Sequence, residues 1–303
     1  MMIDRRLFSP DILVLRAPLA LKLRDVSDLS LVSDDLLITA TETSPARRSI
    51  ALRATPSGIW TAPGVPGLRP EDAINPARWS AVAQPFEIQV SDPGDRYLPM
   101  RLVARLPAEA AIAWPNFSSL PAGIRTALTP PGSPVGSTPD FVPLFPATAR
   151  KPSASMAQVY SHLAMASRGV PVGNASFAVM TVSIGGSIRG VGIADSNGAV
   201  QVNFPYPLLP AASPAERAAG TTRFEWQVTI AVYCGQLAVM PNGEPPLLST
   251  ILAQLNRTPS RLLARLERLT PLPSQTLRLG QPLVLRSARA APNPSSSLFL
   301  LPT

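Results

Sequence analysis

Residues 176–184 have the sequence SFAVMTVSI, and this stretch decides the fold class. Phe177 and Val179 fall on one face of an extended chain, whereas Met180 and Val182 fall on the other. A period of two residues is that of a β-strand, and β-branched side chains favour one. The sequence therefore predicts a strand here, within a mainly β protein.

Further strand patterns lie on both sides of this stretch. Gly190–Ala194 and Val200–Phe204 flank the sequence Asp195-Ser196-Asn197-Gly198, whose Asn-Gly pair is typical of a type I′ hairpin turn. Glu225–Tyr233 is a longer candidate strand, and Phe86–Val90 alternates in the first part of the chain. We therefore predict short strands in both halves and a β-hairpin around the Asp195–Gly198 turn.

The spacing of these strands predicts the domain organisation. Short strands separated by Gly and Pro turns are typical of β-sandwiches, so we predict one over residues 1–108 and a second over residues 156–303. The apolar stretch Ile12–Leu23 is the first candidate strand of the N-terminal sandwich. Residues 109–155, rich in Pro, Ser, Thr and Ala, predict a linker or extended arm. The 36 prolines among 303 residues argue against long helices, because proline lacks the backbone N–H.

One small helical hairpin is predicted over residues 246–270, inside the second sandwich. Its first helix would bury a stripe that includes Leu248, Ile251 and Leu255. Its second helix would begin at Pro259, after the N-cap Thr258. Its apolar positions would be Leu262, Leu263, Leu266 and Leu269.

Four arginines recur at helical spacing in this hairpin: Arg257, Arg261, Arg265 and Arg268. On a helix they would line the face opposite the leucines, which predicts either a solvated face or a surface that contacts an acidic partner protein. A helix-turn-helix nucleic-acid reader is the alternative. Such readers sit in compact helical domains, and the flanks here are proline-rich β segments, so the acidic partner is favoured.

Two apolar segments are expected to dock on neighbouring subunits. The first lies in the arm and includes Phe141, Leu144 and Phe145; the second is the C-terminal tail with Leu298, Phe299 and Leu300. With the four arginines, these side chains are the predicted interaction residues.

The charge composition suits a surface that is buried in an assembly. The net charge is +8, only 15% of residues are charged, and lysine occurs only at Lys22 and Lys151. Arginine is enriched in protein interfaces, whereas lysine is depleted. The four tryptophans fall in separate contexts, where core or interface anchoring is favoured over sugar stacking.

The sequence predicts no catalytic, cofactor or metal site. His162 is the single histidine and lies in a strand candidate, without a nucleophile motif nearby. Cys234 is the single cysteine and follows an apolar run, which favours a buried thiol. The glycine-rich stretch 185–192 is followed by a β-type segment, so it predicts a hairpin loop and not a phosphate cradle. No apolar segment of membrane-spanning length is found, and we expect a cytoplasmic protein.

Turn-and-strand motifs along most of the chain support a resemblance. In the first half they are Ser57-Gly58-Ile59-Trp60, Gly64-Val65-Pro66-Gly67-Leu68 and Arg96-Tyr97-Leu98-Pro99. In the second half they are Gly169-Val170-Pro171-Val172, Arg189-Gly190-Val191-Gly192, Phe204-Pro205-Tyr206-Pro207 and Leu279-Gly280-Gln281-Pro282. Their order resembles a family of uncharacterised structural proteins from gene clusters of phage-tail-like contractile injection systems. Residues 169–202 also resemble a transthyretin-like or carboxypeptidase-regulatory sandwich.

The resemblance implies a function without catalysis. The expected protein is a structural subunit of a contractile tail-like particle, at a cap, terminator or baseplate-adaptor position. Its expected partners are other subunits of the particle, including copies of itself in a ring or cap, and the particle could be released from the cell. A carbohydrate- or receptor-binding adhesin or tail-fibre module is the alternative, and a nucleic-acid binder using the arginines is the third.

Overall fold

A computed structural model describes the chain over residues 17–62, 64–69, 72, 75–112, 114, 117–130, 132–134, 138–208, 224–235, 237, 243–288 and 295–302. Within these residues the protein is mainly β, as the strand patterns predicted. The described α-helices are short: α1 (Trp79–Val82), α2 (Ala122–Ala127) and α3 (Leu248–Leu252). Single 3₁₀ turns span Pro76–Arg78, Phe117–Ser119 and Ala253–Asn256.

Two four-stranded sheets form the first half. Their strands are β1 (Leu19–Asp25), β2 (Leu37–Glu42), β3 (Ser49–Ala51), β4 (Arg53–Ala54), β5 (Ile59–Ala62), β6 (Gln84–Ser91), β7 (Met100–Leu106) and β8 (Val142–Leu144). One sheet has the order β4-β5-β1-β8 and the other β3-β2-β6-β7. The alternate side chains Leu19, Leu21 and Leu23 of β1 are buried in the same core as Phe86 and Ile88 of β6. The start of the predicted strand Ile12–Leu23 lies outside the described residues.

The proline-rich segment 109–155 is not a free linker where the structure describes it. Strand β8 runs parallel to β1, with Leu23 opposite Val142, and so completes the first sheet. The segment fills the first core with the buried side chains of Trp114, Phe117, Leu120, Ile124, Leu128, Phe141, Val142, Leu144 and Phe145. Its apolar residues therefore form part of the first half, and the expectation of an extended arm is corrected here.

The second half contains two further sheets. Their strands are β9 (Met156–Ser167), β10 (Val170–Asn174), β11 (Val179–Ile184), β12 (Ser187–Ile193), β13 (Ala199–Pro205), β14 (Glu225–Tyr233), β15 (Arg261–Arg265), β16 (Thr270–Pro271), β17 (Gln275–Arg278), β18 (Leu283–Leu285) and β19 (Leu298–Leu301). One sheet has the order β12-β11-β14-β17, so the predicted strands β11 and β14 are its inner strands. The other follows the path β10-β9-β19-β15-β16, and β13 and β18 also pair with the long strand β9. Side chains from both sheets form a second core.

The Asn-Gly turn is present, but it does not make the predicted hairpin. Asp195 Oδ1 accepts hydrogen bonds from the backbone N–H groups of Asn197 (2.8 Å) and Ala199 (2.9 Å). Strand β12 pairs with β11, whereas β13 pairs with β9. The turn therefore carries the chain from one sheet to the other, and the hairpin prediction is wrong.

Two glycines explain why these strands lie so close across the sandwich. A Cβ atom on Gly190 would lie 2.6 Å from Cγ1 of Val202, and one on Gly192 would lie 2.6 Å from the carbonyl oxygen of Gln201. Gly185 and Gly186 have φ angles of +58° and +78° and form the turn of the β11–β12 hairpin. The glycine-rich stretch is thus a hairpin turn followed by a close sheet-to-sheet contact.

Only the first half of the predicted helical hairpin is helical. Helix α3 and the 3₁₀ turn after it bury Leu248, Ile251 and Leu255 as expected. The predicted second helix is instead strand β15, which pairs with β19, followed by the turn 266–269. Leu262 belongs to the second core and Leu263 to a small third cluster. A strand buried on both faces has consecutive apolar residues, which periodicity alone does not separate from a helix.

The two halves share buried surface. The core of the first half includes Phe177, which precedes β11, and side chains of β11, β12 and helix α3: Val179, Val191, Ile193 and Leu248. The mainly β fold class with sandwich-like sheets is therefore confirmed. The division into two separate sandwich domains stays a prediction, because the first core extends into the second half.

A buried ion pair ties the end of the segment 109–155 to both halves. The guanidinium of Arg150 pairs with the carboxylate of Asp25, which is fully buried at the end of β1. The hydroxyl of Tyr97 donates to Asp25 at 3.2 Å, and burial raises the pKa of Tyr97 well above its ordinary value. The carbonyl oxygen of Arg150 accepts from the buried amide of Gln201 at 2.8 Å. These bonds fix the path of the chain between the halves.

A second network pins the chain before helix α3 to the first half. Arg101 on β7 donates to both carboxylate oxygens of Glu87 at 2.8 Å and 2.7 Å. The same guanidinium lies 3.0 Å from Glu244 and donates to the carbonyl oxygen of Pro245 at 3.2 Å. The hydrogen bonds from Arg101 lower the pKa of Glu87 despite the opposing effect of burial. The halves are thus joined by a shared core and two polar networks.

Candidate functional site

The predicted arginines remain exposed, although they do not lie on a helix. Arg261 and Arg265 are the end residues of β15, and Arg268 lies in the turn after it. Arg261 donates to the carbonyl oxygen of Leu269 at 2.9 Å, which holds the turn against the strand. Arg257 is separate, because its guanidinium carbon lies 3.6 Å from the position of a Cβ atom on Gly235. The structure therefore brings together three of the four predicted arginines.

A fourth arginine, Arg168, joins this group from another strand pair. It lies at the tip of the β9–β10 hairpin, where Arg168 and Gly169 have φ angles of +50° and +81°. A Cβ atom on Gly169 would lie 3.8 Å from the carbonyl oxygen of Leu266, so the hairpin tip rests beside the turn after β15. We call Arg168, Arg261, Arg265 and Arg268 the basic surface.

A small cluster of apolar side chains belongs to the strands and the turn that carry the basic surface. It consists of Ala164, Ala166, Leu263, Leu266 and Phe299, and all five are buried. The arginines therefore sit on elements fixed by side-chain packing. A rigid support of this kind lowers the entropic cost of binding a partner.

The basic surface has an excess of positive charge, although Glu267 lies in the same turn between Arg265 and Arg268. Within the described part of the chain, none of its four guanidinium groups forms an ion pair with a carboxylate. Residues 246–303 contain seven arginines and one glutamate, so they hold six of the eight net positive charges. A charge count by segment would have found this asymmetry, whereas the helical spacing of the arginines pointed to the wrong element. Arg168 was missed because only the fold places it there.

The apolar interaction residues are not available to a partner in this structure. Phe141, Leu144 and Phe145 are buried in the first core. Leu298, Phe299 and Leu300 lie in β19, between β9 and β15, and are also buried. Both segments dock on their own chain, which corrects the expectation that they cover neighbouring subunits.

The tryptophans are core anchors, as the sequence favoured. Trp60, Trp79, Trp114 and Trp226 are each at most 9% exposed. The indole N–H groups of Trp60 and Trp79 donate to the backbone carbonyls of Val32 and Asp72. These rings present no stacking face for a sugar.

His162 and Cys234 are the single histidine and the single cysteine of the chain. His162 Nδ1 lies 2.9 Å from the hydroxyl of Ser297, a contact between strand β9 and the residue just before β19. Cys234 directly follows β14 and is half-buried, so the thiol is more exposed than predicted. Among the described residues, no three side chains of His, Cys, Asp or Glu are grouped so that they could hold a metal ion.

An apolar cavity of about 130 Å³ lies where the halves meet. Met100, Phe145, Phe177 and Ile251 line it, together with the turn at Asp195. It has the volume of a few water molecules and lacks a charged side chain apart from Asp195, which already bonds its own turn. The basic surface is therefore the stronger candidate site.

Comparison with known proteins provides no relative for this chain. No protein-family model, curated protein or solved structure matches it. Among the described residues, every helix falls short of the length and apolar character that a membrane span requires.

Proposed function

We propose that this protein is a non-enzymatic structural subunit of a phage-tail-like contractile injection system. Its place would be a cap, terminator or baseplate adaptor, and it would be assembled in the cytoplasm. The basic surface carries the proposal, because four exposed arginines on a rigid support suit docking to another protein. The choice of a contractile injection system rests on the order of the turn-and-strand motifs along the chain.

The rigid joining of the two halves supports an assembly role. A subunit that holds a fixed position in a particle benefits from one rigid body, because flexible joints cost entropy on assembly. The buried pair of Asp25 and Arg150 and the network around Arg101 supply such a joint. The carbohydrate-binding alternative loses its proposed platform, because the tryptophans are buried.

Density-gradient sedimentation of a lysate of the native host tests this function. An epitope-tagged copy should sediment with large particles that contain sheath and tube proteins. The variant R261E/R265E should move to the top of the gradient at an unchanged cellular level. The matched control R53E/R189E reverses two exposed arginines on β4 and β12 and should sediment like the wild type. Wild-type protein that sediments only as a single chain would contradict the proposal.

A further inference from the structure

A second charged surface lies in the first half. Asp34 and Asp35 precede β2, and Asp95 lies in the turn between β6 and β7; all three are exposed. We call these three side chains the acidic surface. Residues 25–46 contain five acidic residues and no Lys or Arg, so this part of the sequence has the opposite bias to residues 246–303.

Arg96 holds the acidic surface in a fixed shape. Its guanidinium lies 3.3 Å from Asp34 Oδ2 and donates to Asp92 Oδ2 at 3.0 Å. Asp92 is buried; burial would raise its pKa, but hydrogen bonds from Arg96 and from backbone N–H groups lower it. One arginine thus joins the two loops, and its charge is used within the chain. Asp35 and Asp95 form no ion pair with a described residue.

Exposed apolar side chains accompany both charged surfaces. Leu37 is 61% exposed; it follows Asp34 and Asp35 by two to three residues and pairs with Ser91, just before the Asp92–Asp95 turn. Val170 is 60% exposed and lies two residues from Arg168 of the basic surface. A charged rim with an apolar centre is the usual composition of a protein interface.

We propose that the acidic surface of one copy docks on the basic surface of a second copy of this chain. The inference rests on the proposed function, and it names one partner of the subunit. Three observations support it: the two surfaces have opposite charge, neither neutralises the other within the chain, and each has an exposed apolar residue at its side. Complementary charge fixes orientation and speeds association.

The partner surfaces differ, which determines the possible assemblies. Two copies can exchange both contacts as a closed pair. Alternatively, each copy binds the next through one contact, which yields a ring or an open chain. Either form contains the same contact between the two surfaces.

Charge-reversal variants of the purified protein test the contact between the acidic and basic surfaces. Wild-type protein should show a mass above one chain by light scattering at low salt. It should approach one chain at about 1 M salt, where the Debye length is about 3 Å. R261E/R265E and D35R/D95R should each remain single chains, with association about 100-fold weaker than wild type.

Restored association is the decisive result. An equimolar mixture of R261E/R265E and D35R/D95R should form complexes, and a chain with all four substitutions should associate with itself. R53E/R189E should behave like the wild type. D35N/D95N is a milder variant that suits the positive φ at both positions, and it should weaken association about tenfold. Circular dichroism and urea unfolding should show that each variant is folded.

Several outcomes would overturn the inference. One is wild-type protein that remains a single chain at low salt. Another is a loss of association with R261E/R265E but not with D35R/D95R. A salt-sensitive shift of DNA or RNA by the wild-type protein, with no self-association, would assign the basic surface to nucleic acid. Sedimentation with particles in the host, without self-association of the pure protein, would reject this contact and leave the proposed function intact.

Discussion

Two regions that the sequence analysis predicted to contact partners differ in their exposure to solvent. The apolar segment 141–145 is buried against β1, whereas the arginines of segment 257–268 stay exposed. Apolar side chains can be removed from water by any complementary surface, including that of their own chain. A guanidinium group leaves water only at a high cost unless a carboxylate meets it. In this protein, charged residues are therefore a better indicator of a surface that is free to bind a partner than apolar residues are.

The largest expected effect tests the buried side of this comparison. Phe141→Ala should lower the free energy of unfolding by about 3–5 kcal/mol, because it opens a cavity in a packed core. The ring of Phe141 makes an edge contact with Trp114, with centroids 6.1 Å apart. The guanidinium of Arg24 lies over the face of the Phe141 ring. Urea unfolding measures the change. Leu37→Ala is the exposed control and should change stability by less than about 0.5 kcal/mol.

A small effect of Phe141→Ala would break the comparison. A loss below about 1 kcal/mol would mean that segment 141–145 is not part of the core. It would again become a candidate for docking on another subunit.

The next effect concerns Arg150, near the end of the segment 109–155, and its partner Asp25. Asp25→Asn should lower the free energy of unfolding by about 3 kcal/mol, because it leaves the half-buried guanidinium of Arg150 without its counter-charge. Asp35→Asn removes an exposed carboxylate and serves as the matched control. Chemical denaturation should separate the two variants clearly; equal stabilities would show that Arg150 does not fix the path between the halves.

A smaller, pH-dependent effect is expected at the network around Arg101. Glu87 has a lowered pKa in the folded protein, so it stabilises the fold at a pH above its ordinary value of 4.5. That contribution, about 1 kcal/mol for a partly exposed pair, is lost as the pH falls below 4.5 through the folded pKa. Thermal unfolding between pH 3 and pH 7 should therefore show a smaller acid loss for Glu87→Gln than for the wild type. Parallel pH profiles of the two proteins would refute this role.

The smallest expected effect sharpens the exposed side of the comparison. R261E/R265E should change the free energy of unfolding by less than about 1 kcal/mol, because it removes one exposed hydrogen bond, from Arg261 to Leu269, and no ion pair in the described part of the chain. Differential scanning calorimetry of the purified variant measures this. A loss of several kcal/mol would show that the arginines support the fold, and it would remove them as a free surface.

Much of the local β structure could be predicted from the sequence. Residues 225–233 form β14 and residues 86–90 lie within β6, because alternation records which face of a strand is buried. Pairing between distant segments leaves no such record. The parallel contact of Leu23 with Val142 and the contact of Leu263 with Phe299 were therefore not predicted. Because of the Leu23–Val142 pairing, the segment expected to be an arm is part of the core. Because of the Leu263–Phe299 pairing, the segment expected to be a helix is a strand.

The candidate site was predicted in part for the same reason. Exposure of Arg261, Arg265 and Arg268 follows from the cost of burying charge, and it did not depend on the type of element. Arg168 belongs to the group only because the β9–β10 hairpin meets the turn after β15. The link to a contractile injection system stays a prediction from the motif order.

Sedimentation velocity of the wild-type protein alone, across a series of salt concentrations, tests the central claim most directly. If charged surfaces drive docking and the apolar segments are satisfied internally, the protein should self-associate at low salt and dissociate progressively as salt is added. Association that is absent at low salt, or that strengthens with salt as apolar contacts do, would contradict this account.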